Sequence, residues 1–186
     1  MAILVPSSKL SSFLNQKIFA QGELISLQQN ILWKIDNGVV RTVTYTQSGV
    51  PIVLGYWGAN DVVGQPLSRI MPYRIECLTS VKVTMLPQQM WGQAIDSLIL
   101  HIQQADEFFD LTSKKPVYSR LWHLLVWLGQ KFGRDVDAGR LIDLRLTQQD
   151  LSEVASCARV TVTYLMQQFE QEGKLQRHKK RLILLT

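Results

Sequence analysis

Between residues 17 and 86 apolar residues arrive in short bursts, often alternating with polar ones, and turn-forming clusters close each burst. The stretches 17–19, 31–35, 39–45, 52–56, 61–64 and 81–86 read as strands, because a half-buried strand hides every second side chain. Between them stand Gln21-Gly22-Glu23, Asp36-Asn37-Gly38, Gln47-Ser48-Gly49 and Gly58-Ala59-Asn60-Asp61, residue types that tolerate left-handed backbone or bond to their own main chain. Many short strands at this spacing predict a β-sandwich or jelly-roll barrel. Ahead of them, 7–15 reads as a short amphipathic helix packing through Leu10, Phe13 and Leu14.

From residue 88 the period lengthens to that of a helix. Ile95, Leu98, Ile99, Ile102, Ala105, Phe108 and Phe109 fall along one side of a helix expected over 88–113. Pro116, which lacks an amide hydrogen and restricts Lys115, ends it. A strongly apolar helix follows over 117–132, with Leu121, Leu124, Leu125 and Leu128 as its core and Trp122 and Trp127 partly packed. The polar run 133–139 reads as a loop and 141–146 as a strand. In 147–170 two short helices joined by a tight turn put Leu151, Ala155, Cys157, Val162 and Leu165 inside. Gln148, Gln149, Arg159, Thr161, Thr163 and Tyr164 are left outside. Thr147 is a good N-cap with Asp150 three residues on, and small residues sit where the helices approach. Gly173 closes the second helix, and 174–177 and 182–185 form a hairpin whose tip is His178, Lys179, Lys180 and Arg181. This is a winged helix-turn-helix; an ordinary helix pair with a solvated basic turn is the plainer alternative.

Charge separates the two halves. Residues 114–186 carry 13 Lys/Arg against 7 Asp/Glu, +6, while residues 1–113 carry 7 against 8, −1. The basic excess lies with the helix-turn-helix, as a phosphate-binding module requires. The expected domains are therefore a β-roll over 1–87, a connecting helix over 88–113 and a DNA-binding domain over 114–186. No apolar run approaches a membrane span, and the first ten residues lack a basic segment followed by a long apolar core. Only Cys77 and Cys157 occur, too few for a disulfide framework or a four-thiolate cluster, so a reducing cytoplasm is expected.

Particular residues carry a family resemblance. Gln21-Gly22-Glu23, Gly38, the segment SGVPIVLGYWGANDVVG at 48–64 and the strand pair around 77–86 resemble the β-roll of the cyclic-AMP receptor protein and Fnr superfamily of bacterial transcription regulators. RVTVT at 159–163 with HKK at 178–180 is similar to the recognition helix and wing of its cyanobacterial nitrogen-control branch. The resemblance spans about 17–185. It implies an α+β fold of β-roll, cyclic-nucleotide-binding-like in form, long dimerisation helix and winged helix-turn-helix. It also implies a homodimer meeting through Leu98, Ile102, Ala105 and Phe109.

On the family pattern Arg159 reads a guanine, its forked donors matching two acceptors on one base edge. Thr161 holds a phosphate, and Thr147 and Gln149 the backbone beside the first helix. Val160 and Tyr164 depart from the cyclic-AMP receptor's own set; a valine offers an apolar contact to a thymine methyl and cannot accept from cytosine. Thr163 completes the helix face, and His178, Lys179 and Lys180 lie over the phosphate backbone. Ser156 stands at the turn where glycine is usual.

Effector chemistry is less well marked. Cyclic-nucleotide sensors grip ribose with Gly-Glu-Leu and phosphate with Arg-Ser; here stand Gly64-Gln65-Pro66-Leu67 and Met71-Pro72, which supply no cation. Cyclic nucleotide is not the expected ligand, nor is the nitrogen branch's dicarboxylate, which needs a basic residue near Met71. Arg69 and Arg74 are candidates for an anionic effector in another register, or are solvated loop arginines. His101 and His123 fall on apolar helices and read as satisfied or surface histidines rather than haem ligands. Neither an effector nor a cofactor is identified, and a constitutively active regulator stays open. Residues 17–87 contain no histidine, which disfavours a cupin-type metal centre, and no nucleophile elbow, phosphate-cradling loop or triad spacing occurs. The expectation is a non-enzymatic regulator bound to duplex DNA, with RNA polymerase as a further partner if it activates. The competing class is an interaction protein whose roll and wing dock another protein.

Overall fold

A computed structural model describes residues 16–185; the helix expected over 7–15 lies outside them. By contact the chain divides into two compact units. Of the described residues, one holds those up to Ala105 except Pro51–Val53, and the other holds Pro51–Val53 with those from Asp106 onward.

The N-terminal strands are β1 (Gln16–Phe19), β2 (Ile31–Asn37), β3 (Val40–Tyr45), β4 (Pro51–Trp57), β5 (Val62–Val63), β6 (Arg74–Cys77) and β7 (Val81–Pro87). They form two sheets, ordered β1-β7-β2-β5 and β4-β3-β6. Inward residues of both sheets merge into one core of Trp33, Ile35, Val40, Ile75, Val81 and Val83, all fully buried. This is the β-roll that the alternation predicted. Gly38 makes the β2–β3 turn possible: its φ is +92°, and a Cβ there would lie 2.3 Å from Ser80 O.

The helix expected over 88–113 is two pieces. Gln88–Ala94 is a 3-10 segment and the α-helix α1 covers Ile95–Ser113. The first piece winds tightly because Met90, Trp91 and Ala94 tuck onto a second apolar cluster around Leu32, Val62 and Leu86. It also contains Gly92, a poor helix former.

The second unit contains α2 (Val117–Phe132), β8 (Gly133–Val136), β9 (Gly139–Ile142), α3 (Gln148–Val154), α4 (Arg159–Gln171), β10 (Leu175–His178) and β11 (Arg181–Leu185). Leu121, Leu124, Leu125 and Leu128 of α2 are buried as expected, together with Ile142, Phe169 and Leu175. Phe169 packs its ring between Tyr118 at 4.9 Å and Trp122 at 5.2 Å. Gly129 lets α2 lie close on β11, since a Cβ there would meet Leu184 Cδ1 at 2.7 Å.

The expected loop over 133–139 is instead a strand. β8 pairs antiparallel with β9, leaving Asp137 and Ala138 as the turn, in a sheet ordered β10-β11-β9-β8. Its polar composition concealed it, because its stability comes from ladder bonds and from Arg140. That side chain donates to Gly129 O at 2.8 Å and to Asp135 at 2.6 Å. The expected strand over 141–146 ends at Ile142, after which Asp143 N donates to Phe132 O and the chain leaves the sheet. Among the described residues no helix is long and apolar enough to cross a membrane.

Candidate nucleic-acid interface

The helix-turn-helix is set at its first residue. Thr147 Oγ1 accepts from Asp150 N at 3.1 Å and Thr147 N donates to an Asp150 carboxylate oxygen at 2.8 Å, a reciprocal capping box. α3 ends at Ala155, and the turn passes through Ser156 in left-handed backbone at φ 46°. A serine there replaces the residue for which that region is free of strain. α4 begins after Ala158 and buries Val162, Leu165, Met166 and Phe169.

The opposite face of α4 is open. Arg159 is exposed, Val160 is 79% exposed and Tyr164 65%, an unusual display of apolar surface beside a cation. Three residues expected on the outside are drawn in. Gln148, Thr161 and Thr163 are half-buried, and Thr163 Oγ1 donates to Gln148 Oε1 at 2.9 Å, tying α4 to α3. Gln149 is exposed and donates to Glu153. Cys157, expected inside, is only half-buried because it lies in the turn, its N–H bonded to Ser152 O.

At the wing, His178 pairs with Arg181, leaving Lys179 and Lys180 as a two-residue turn with Lys179 at φ 56°. All of His178, Lys179 and Lys180 are exposed. Beside them opens a cleft of about 670 Å³ between the wing and the β8–β9 hairpin. It is lined by Arg134, Arg145, Lys179, Lys180 and Arg181 against one acid, Asp137. Arg134 and Arg145 were not singled out from the sequence; an arginine two residues ahead of a helix N-cap was the available signal for the second.

Two anchors hold these parts. Arg120 of α2 donates through Nε to Ala155 O and through a terminal nitrogen to Lys114 O, both at 2.8 Å. At the other end of α4, Glu172 accepts from Tyr118 and pairs with Lys174 at 2.7 Å. The Lys174 hydrogen bond, then that of Tyr118, hold the Glu172 carboxyl down at about 2, and the same acid raises Lys174.

In the first unit Arg74 lies over the Tyr45 ring at 4.9 Å, on the side of β6 opposite the buried Ile75 and Cys77. It therefore points away from the interior of the roll, and Arg69 is exposed on the loop before β6. His101 stacks on Trp57 at 3.9 Å with its Nδ1 3.0 Å from Val62 O. His123 is exposed and bonds to Ser119 O. Of the residues expected at a twin interface, Ile102 and Phe109 are 61% and 73% exposed, whereas Leu98 and Ala105 pack onto the roll. Burial pushes the Cys77 thiol up to about 11 and also raises Cys157, away from nucleophilic character. Among the described residues no group of His, Cys, Asp and Glu is placed to hold a metal.

Residues 119–186 match the model of the Crp-like helix-turn-helix domain. Over 98% of its length the chain is 32% identical to regulatory protein CysR of Synechococcus elongatus, covering 89% of that protein. The chain belongs to the Crp/Fnr family of transcription regulators. It is also 26% identical to the global nitrogen regulator of the same organism, over 80% of this chain and 74% of that one. A CRP-family transcriptional regulator from Thermus thermophilus has the same fold, with a TM-score of 0.78 and 19% identity over 91% of this chain and 92% of that one. As a member of this family the protein is a DNA-binding transcription regulator, and the cap, turn, α4 and wing make up its helix-turn-helix module. The fold expected from the sequence, an α+β chain of roll, helix and winged helix-turn-helix, is the observed one.

Proposed function

We propose that this regulator acts as a homodimer on an inverted-repeat operator, with Arg159 as its principal base-reading residue. The observation that carries this reading is the exposed N-terminal face of α4. Arg159, Val160 and Tyr164 stand clear of the protein on a helix tied to the Thr147-capped α3 by the bond from Thr163 to Gln148. Arg159 bonds to guanine O6 and N7, Val160 packs on a thymine methyl, and Gln149, Thr147 and the wing residues His178, Lys179 and Lys180 hold phosphates. Thr161 and Thr163 contribute less, being half-buried.

The dimer reading rests on α1. Ile95, Ile99, Ile102 and Phe109 are exposed at 55%, 50%, 61% and 73% and fall four and three residues apart, with Asp106 filling the gap. A seam of that spacing suits a second copy of the same helix. In this reading the interface comprises these four residues, while Leu98 and Ala105 belong to the roll. Two α4 helices related by a two-fold axis then enter successive major grooves, ~34 Å apart. Ile102→Asp should yield a monomer in sedimentation; a dimer retained by that variant would move the interface elsewhere.

The protein has no catalytic role in this reading and works where the chromosome is, in the cytoplasm. If it activates, RNA polymerase is its further partner. Cyclic nucleotide is not its effector: Trp33, Ile35 and Ile75 fill the roll, and the Gln65–Leu67 turn and Met71 offer no phosphate cation. Arg69 and Arg74 are exposed outside that core and are the candidates for an anionic effector.

Selection of bound duplexes from a random library supplies the operator. On it, Arg159→Ala should lose on the order of 1–3 kcal/mol and relax discrimination at one base pair per half-site. Equal loss on operator and random DNA would remove Arg159 from its role.

A further inference from the structure

The wing and the start of α3 are both assigned to the DNA backbone, and the cationic cleft lies between the wing and the β8–β9 hairpin, with Arg145 at its α3 side. We propose that this cleft is a second phosphate track, gripping the duplex beyond each half-site; the inference rests on the DNA reading above. Three observations point there. Five cationic side chains line the cleft with Asp137, and even with Asp143 pairing Arg181 beside it the cations outnumber the acids, a balance that favours an anion. The lining is continuous with the wing tip, since Lys179 and Lys180 belong to both. Arg145 stands two residues before the Thr147 cap, so one wall of the cleft is tied to α3.

Topology gives the reach. In the sheet order β10-β11-β9-β8, Arg134 on β8 lies two strands out from the wing strand β11, ~10 Å at ordinary strand spacing. Laid along a duplex rising ~3.4 Å per base pair, this is about three base pairs past the wing contact. The track takes phosphates and carries no base preference, because arginines meeting backbone oxygens are indifferent to sequence. Arg134 already lines it and is loosely held there: its pairing with Asp143 is long, 3.8 Å, and Asp143 is engaged by Arg181 at 2.9 Å.

The test uses the full-length protein and the selected operator in two lengths. One duplex ends at the inverted repeat, and the other carries eight further base pairs of arbitrary sequence on each side. The wild type should bind the longer duplex about tenfold more tightly at moderate salt. Its log-log salt slope should be steeper by about 0.9 for each arginine engaged, about 1.8 for one arginine in each half of the dimer. Arg134→Ala should lose most of the gain from the flanks while binding the short duplex as before. Asp137→Lys, which adds a cation to the same lining, should enlarge the gain. If both variants gain from the flanks as the wild type does, or if Arg134→Ala weakens short and long duplexes alike, the track is refuted. Failure of the wild type to bind even the short duplex would instead overturn the DNA reading from which the track follows. A polyglutamate peptide that binds the wild type and not Arg134→Ala, with the flank gain unchanged, would reassign the cleft to an acidic protein partner and refute the proposal.

Discussion

Arg120 offers the most direct test of how this fold holds its reading head. The side chain is half-buried in the first turns of α2 and donates two hydrogen bonds of 2.8 Å. One acceptor is Ala155 O, at the end of α3, and the other is Lys114 O, just past α1. Both carbonyls lie at helix C-termini, where no intrahelical donor remains and the helix dipole places partial negative charge. One guanidinium thus joins the helix-turn-helix to the end of α1. Each bond to a charged donor contributes about 1.5–3 kcal/mol, giving a ceiling of roughly 3–6 for the pair. Water reaches this half-exposed site and satisfies part of what Arg120→Ala releases, which brings the expected loss to about 2–3 kcal/mol. Urea titration of the variant should show that loss at an unchanged slope. Operator affinity should fall further than affinity for random duplex, because the angle of α4 matters for base contacts and little for bulk charge. Arg120→Lys keeps the charge but reaches one carbonyl at a time, so it should recover no more than about half of the stability. A variant within about 0.5 kcal/mol of the wild type, binding operator normally, would show that the bridge fastens nothing.

Two further substitutions test local features. Ser156→Gly should raise stability by about 0.5–1 kcal/mol, because the strain of a side chain at φ 46° exceeds the extra chain entropy that glycine loses; a lower urea midpoint would contradict this. Glu172 is depressed from 4.5 to about 2, so its contribution is present above the unfolded value and is lost as pH falls from about 4.5 toward 2. Thermal melts of Glu172→Gln should therefore fall less steeply than those of the wild type across that window, and parallel pH profiles would remove the Lys174 and Tyr118 bonds from the account.

The parts of the interface that were legible in the chain are those fixed within a few residues. The Thr147 cap depends on Asp150 three positions on, the buried side of α4 on steps of three and four, and the wing on a basic turn between apolar strands. Each is a local pattern with a local cause. The β8–β9 hairpin was not legible, because Gly133, Arg134, Asp135 and Asp137 carry the composition of a loop. It becomes a strand only through pairing with β9 and the Arg140 bonds across the turn. The cleft was hidden for the same reason: Arg134 and Arg145 meet the wing only after that hairpin exists.

The connecting helix shows a different limit. Its apolar residues at 95, 98, 99, 102, 105, 108 and 109 cover more than one face, so periodicity alone merges two seams. Tertiary contact separates them. Leu98 and Ala105, seven apart, go to the roll, while Ile95, Ile102 and Phe109, also seven apart, stay outside with Ile99 beside them. Both sets satisfy a heptad, and they differ by three residues, about 60° of helix rotation at 3.6 residues per turn. Only the position of the core they meet decides which set is inner. For that reason the sequence pattern put Leu98 and Ala105 on the expected dimer seam, although both pack onto the roll. For the proposed dimer, the residues whose loss should separate the subunits are therefore the exposed ones, Ile95, Ile99, Ile102 and Phe109.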